Sequence, residues 1–161
     1  MRTKEWSAAM TRYSGSCSCG SVMFAFNDDP FWVTACHCDA CKKRTGSAYG
    51  LSVVMEKNVV KSFVGDVRTF VRKGDSGNAV AYDFCPRCGT TIRWRLAVIP
   101  GREVYALGTF DNPGQFKIDG EYYVNSALPV SRLGCELVCT AAPDFTFRDS
   151  LAELGKQRAK R

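Results

Sequence analysis

Seven of the chain's nine cysteines sit in three tight clusters: Cys17-Ser18-Cys19, Cys36-His37-Cys38-Asp39-Ala40-Cys41 and Cys85-Pro86-Arg87-Cys88. Sulfurs one or two residues apart make poor disulfides, whereas a short turn can aim both at one point, as tetrahedral metal coordination requires. Seven thiolates exceed one tetrahedron and imply more than one ion. A four-thiolate set is closed and structural. Three thiolates leave a zinc ion with a vacant position, where an incoming group can bind and react.

The clusters differ in local chemistry. In Cys85-Pro86-Arg87-Cys88-Gly89, Pro86 fixes φ after the first ligand, and Gly89 can take positive φ so that backbone N–H groups face the sulfurs. This is a zinc-knuckle pattern. Cys17-Ser18-Cys19-Gly20 supplies half a site, and in an extended segment residues two apart point the same way. The central cluster packs three sulfurs into six residues. Spacing leaves two partitions open. Cys38 and Cys41 can join Cys85 and Cys88, or Cys17 and Cys19 can join Cys85 and Cys88 and leave Cys36, Cys38 and Cys41 as a separate trio. His37, the single histidine, lies between two ligands that point away from it, which suits an orienting or surface group better than a general base.

The elements that must hold these sulfurs read as strands. Residues 1–13 form an irregular lead-in in which Trp6 and Tyr13 can tuck against the core, and Val22, Phe24 and Phe26 alternate with smaller or polar neighbours. Phe31 to Ala35 is extended. Asp39 can cap a single helical turn through Lys43, ended near Gly46. Strands are expected at 48–55, 59–63, 67–72, 79–84, 90–96, 103–107 and 122–125, with the third cluster at the tip of a β-hairpin. Trp94 between Arg93 and Arg95 suits alternating core and solvent faces. A short C-terminal helix is expected at 151–161, weakened by Gly155. The expectation is one mainly β domain of short antiparallel strands stapled by zinc, spanning 14–148, with a lead-in at 1–13 and a basic tail at 149–161.

Bulk properties narrow the function. The hydrophobic content of 45% suits a single core. No apolar run approaches the ~20 residues of a spanning helix, so no membrane partner is expected. The start carries charges and no apolar stretch of signal type, and clustered cysteines suit metal in a reducing compartment, so the cytoplasm is expected. The formal charge of +6 overstates the basicity. Seven bound thiolates subtract seven and two zinc ions add four, leaving +3. Nucleic acid is not an expected partner.

The run Gly15-Ser-Cys-Ser-Cys-Gly20, then Cys36-His-Cys-x-x-Cys41 followed by Arg44-Thr-Gly-Ser47, then Phe84-Cys-Pro-Arg-Cys-Gly89, resembles the glutathione-dependent formaldehyde-activating enzyme family, which includes centromere protein V. The resemblance covers about Gly15 to Asn112 and implies a single Mss4-like β domain. It also implies two zinc ions per chain, a structural one on Cys17, Cys19, Cys85 and Cys88 and a catalytic one on Cys36, Cys38 and Cys41. The activity it implies is that of a carbon–sulfur lyase, joining a thiol such as glutathione to formaldehyde or another small aldehyde as an S-hydroxymethyl adduct, or the reverse. Lys43 and Arg44 would then attract the thiol's carboxylates and Ser47 would contact it. The chain departs from the family's late His-aromatic and Ala-Pro-Trp segments with Glu121-Tyr122-Tyr123-Val124 and Ala127-Leu128-Pro129-Val130, and such late segments can line a pocket. The competing expectation is a non-enzymatic zinc-stapled β scaffold that binds another protein.

Overall fold

Alternation of large apolar residues along consecutive strands demands two sheets packed face to face, and that is what forms. The computed structural model describes residues 11–131, 133 and 137–139. A three-stranded sheet takes β1 (Tyr13–Ser16), β2 (Met23–Phe26) and β5 (Val60–Val64). The larger sheet starts with β3 (Trp32–Cys36) and β4 (Gly50–Glu56), joined by the helix α1 (Asp39–Thr45). It continues through β6 (Arg68–Lys73), β7 (Ala79–Phe84), β8 (Thr91–Leu96) and β9 (Arg102–Ala106), and closes with β10 (Gly120–Tyr122) and β11 (Leu137–Cys139). Its spatial order is β11-β10-β3-β4-β9-β8-β7-β6.

The strands pair antiparallel with one exception: β10 runs parallel to both β3 and β11. A parallel neighbour needs a long crossover, and the turns after β9 supply it. β1 begins at Tyr13, inside the segment read as lead-in, because Tyr13 is buried and stacks on Phe116. The strand expected at 122–125 ends at Tyr122, since Tyr123 turns into the left-handed region at φ 58°. Trp6 and the expected helix at 151–161 lie outside the described residues.

Period-two alternation sends neighbouring residues of the large sheet to opposite faces. Val53, Ile92 and Tyr105 join Phe24, Phe26 and Phe110 in a core sealed by the small sheet. Val54, Trp94 and Val104 face the other way. There the cross-strand pairs Trp32↔Val54, Val54↔Val104, Trp94↔Val104 and Tyr82↔Trp94 make one apolar row over five strands.

Arg93 and Arg95 do not simply face solvent. Both donate to Asp83, which is 1% exposed and also accepts from Thr69 at 2.7 Å. Arg93 reaches Glu103 at 2.8 Å as well and lies over the Phe63 ring at 3.9 Å. Burial alone would raise the Asp83 carboxyl, but the bonds from Arg95, Thr69 and Arg93 outweigh it and hold it below its ordinary value. A carboxylate depressed on folding stabilises above its unfolded pKa of about 4 and loses that contribution as pH falls through the folded value. Asp83→Asn should therefore cost roughly 3 kcal/mol at neutral pH. Urea unfolding at several pH values should show the gap from the parent narrowing below about pH 4.

Candidate metal centre

The hairpin β7–β8 carries Cys85 to Cys88 at its tip. Cys85 N–H bonds Thr90 O and Gly89 N–H bonds Cys85 O, both at 2.9 Å, with Gly89 at φ 72°. The first cysteine pair lies in a turn after β1 rather than in extended chain. Gly20 N–H closes that turn on Cys17 O at 2.9 Å, and Val22 N–H points at Cys17 Sγ at 3.3 Å. The two turns interlock through Ser18 and Thr90 at 2.9 Å and Arg87 to Ser21 at 2.7 Å. Cys17, Cys19, Cys85 and Cys88 thereby place their sulfurs within 4.8 Å of one another. Cys17 and Cys19 stand 3.5 Å apart, and Cys19 and Cys85 3.8 Å. Four sulfurs each about 2.3 Å from one zinc ion would be about 3.8 Å apart.

Cys36, Cys38 and Cys41 form a second group within the same limit. Cys36 ends β3. Cys38, rather than Asp39, is the N-cap of α1, its sulfur accepting from Cys41 N–H at 3.4 Å. The helix ends, as expected, at Gly46, with φ 62°. Gly50 completes the arrangement: a Cβ there would stand 2.7 Å from Arg44 Nη2 and 3.3 Å from Cys41 Cβ. Nothing in the spacing of the cysteines pointed to Gly50.

Crowded sulfurs cannot all ionise without a cation. Hydrogen bonds from Cys36 and Cys41 push the Cys38 thiol down to about 2, while contact with Cys38, then Cys41, and burial push Cys36 far up. In the other group the Thr90 hydroxyl lowers Cys88 to about 5, and burial raises Cys85 to about 11. Both groups have the donor set of a thiolate metal site, and the residues fit zinc.

His37 is fully buried and not a surface group. Its Nε2 meets Glu121 Oε1 at 2.7 Å, its backbone N–H bonds Tyr122 O at 2.9 Å, and its Nδ1 is buried without a partner. It orients the cysteine segment against β10. Asp39 is exposed and pairs with Lys42 at 2.8 Å. Cys135 lies outside the described residues, and Cys139 enters only as the strand partner of Tyr122.

The trio borders a cavity of about 210 Å³ on the second face of the large sheet. Trp32, Val80 and Trp94 form its floor, with Tyr82, Tyr123 and Asp75 beside them. Burial, then a hydrogen bond to Asp75, raises the Tyr123 phenol, and burial raises Tyr82. Trp32 Nε1–H is buried without a partner. Lys43, Arg44 and Ser47, expected to contact substrate, do not line this cavity. Lys43 is exposed and lines neither this cavity nor the groove that Arg44 and Ser47 share with Thr90 and Thr109. The Arg44 guanidinium lies 4.2 Å from the Trp94 ring centre, with Nε and Nη2 buried and unpartnered. Of the segment 121–124, Tyr122 and Tyr123 do line the cavity.

Fold and sites together define a mainly β protein with two cysteine groups able to hold metal, one of them beside a cavity. Residues 12–126 match the glutathione-dependent formaldehyde-activating enzyme family, and the chain belongs to it. No curated protein matches the chain. A crystal structure of a Rhodobacter sphaeroides protein is similar, with a TM-score of 0.48 and 15% identity over 79% of this chain and 99% of that one. Among the described residues no helix is long and apolar enough to cross a membrane.

A side chain at Gly50 should disturb the trio alone. Gly50→Val is expected to weaken its metal affinity about 10- to 100-fold. Metal content measured against a graded chelator should then show one weakly held ion, with the other unchanged from the parent.

Proposed function

We propose that this protein makes or breaks a carbon–sulfur bond, adding a thiol such as glutathione to formaldehyde or another small aldehyde. In this reading two zinc ions are bound per chain. Cys17, Cys19, Cys85 and Cys88 hold a structural ion, and Cys36, Cys38 and Cys41 a catalytic one. Family membership supports the chemistry. The observation that carries the assignment is that the trio borders the cavity, while the four-cysteine group lines neither that cavity nor the neighbouring groove.

Zinc held by three thiolates would supply one open position, at which a thiol loses its proton and remains nucleophilic. The sulfur adds to the carbonyl carbon, the C=O π pair moves to oxygen, and that oxygen takes up a proton. The chain's residues serve this step in three ways. Tyr123 keeps its proton at neutral pH because burial and its hydrogen bond to Asp75 both disfavour the phenolate, so it adds no negative charge beside the nucleophilic sulfur. Trp32 Nε1–H is buried with no protein partner and can donate to a developing alkoxide. The apolar floor excludes bulk water from the sulfur.

Two variants and one rate test this. Purified protein should carry close to two zinc ions. Cys41→Ser should lose one ion and stay folded, whereas Cys88→Ser should lose one and unfold or aggregate. Exchange spectroscopy with carbon-13-labelled formaldehyde and glutathione should show faster interconversion of free and thiol-bound carbon with the parent than with Cys41→Ser. Equal loss of stability in both variants, or equal exchange rates, refutes the open-site assignment.

A further inference from the structure

We propose that the thiol taken at the trio carries an apolar group, the size of an aromatic ring or a short alkyl chain, seated on the second face of the large sheet. The proposal rests on the thiol-binding reading above and narrows its substrate. Cys36, Cys38 and Cys41 all line the cavity, so the substituent of a sulfur held beside them extends into it. What it meets is the row of cross-strand pairs: Trp32, Val54, Val104 and Trp94, flanked by Val80 and Leu96. All but Leu96 are under one-tenth exposed, so they form a preshaped wall rather than mobile surface. A cavity of about 210 Å³ exceeds the ~150 Å³ of an apolar protein cavity that accepts benzene.

Charge argues the same way. Glutathione brings two carboxylates and an ammonium. Two cations line the cavity, and both are engaged. Arg102 pairs with Glu56 at 2.8 Å and lies 3.6 Å from the Phe31 ring centre. Arg72 donates to Tyr82 Oη at 3.3 Å and to Lys73 O at 2.7 Å. Asp75 adds a negative charge to the same wall. A carboxylate buried there would lose water and find one unpaired cation, Arg44 at the Trp94 ring, whereas an apolar group gains the whole floor. Lys43 is exposed and Ser47 lines the separate groove, while Arg44 lines that groove and sets its guanidinium against the Trp94 ring. The orphaned Trp32 Nε1–H suits one acceptor oxygen, such as that of the aldehyde joined to the sulfur.

The test titrates the cobalt-substituted full chain with benzyl mercaptan, 2-mercaptoethanol and glutathione, reading the sulfur-to-cobalt charge-transfer bands. Two of the chain's three tryptophans, Trp32 and Trp94, line the cavity, so tryptophan fluorescence reads occupancy independently. Benzyl mercaptan should bind at least about tenfold tighter than either polar thiol. Ile99→Asn, a half-buried change in the turn before β9, should reduce that preference while the thiol-free cobalt spectrum and the melting temperature stay close to the parent's. Glutathione binding as tightly as benzyl mercaptan, or tighter, overturns the apolar assignment and leaves the thiol-binding reading standing. No change in the charge-transfer bands with any of the three thiols defeats the thiol-binding reading itself, and this proposal with it.

Discussion

Two thiolates about 4 Å apart repel by about 4 kcal/mol at an effective dielectric of 20, and this chain gathers seven sulfurs into two groups at such distances. Left to themselves the sulfurs share protons unequally, one thiol ionising because its neighbours do not. A dipositive ion would remove that conflict in either group. The energetic consequence differs between them because their topology differs. Cys19 and Cys85 are 66 positions apart, so an ion there closes a long stretch of chain, and its binding energy is folding energy. The trio lies within six residues and closes almost nothing. An ion held by the first group would staple the fold, while one held by the second would close almost no chain.

The two faces of the large sheet carry the same distinction into packing. Cys17 and Cys85 are members of the sealed core with Phe24 and Tyr105, whereas Cys36 packs against the cluster around Trp32 and Trp94. One-residue alternation decides this: Val53 faces the sealed side and Val54 the cavity, and Val104 and Tyr105 divide likewise. The small sheet covers only one face. The other keeps its apolar row for a cavity that the trio borders.

Much of this was legible in residue order. The knuckle at Cys85 to Cys88 lies between β7 and β8, where alternation placed it. The mainly β class followed from the same pattern. Three features were not legible. The Arg93–Asp83–Arg95 network looks like solvent-facing charge in sequence, because nothing local shows that the small sheet brings Phe63 over Arg93. Lys43 and Arg44 follow Cys41 closely in sequence, but a helix turns neighbours about 100° apart. Arg44, three residues on, shares the inner side with Cys41 and stacks on Trp94, while Lys43 is left in solvent. The parallel β10 was also hidden, since its partner β3 lies more than 80 positions earlier.

Tyr123 shows how the sheet edge and the trio are joined. Its left-handed backbone, at φ 58° in a non-glycine residue, costs about 1–3 kcal/mol and persists only where surroundings hold it. Three contacts do so. Tyr122 before it is fixed in the β10 ladder opposite Cys36. The turn after it closes with Ser126 N–H on Tyr123 O at 2.9 Å. Lys42 of α1 donates to Ser126 O at 2.9 Å while pairing with Asp39. The helix that positions Cys41 therefore also clamps the turn that aims Tyr123 at the cavity. A shift of α1 moves sulfur and phenol together, so the distance between them is set by one rigid unit rather than by two loops.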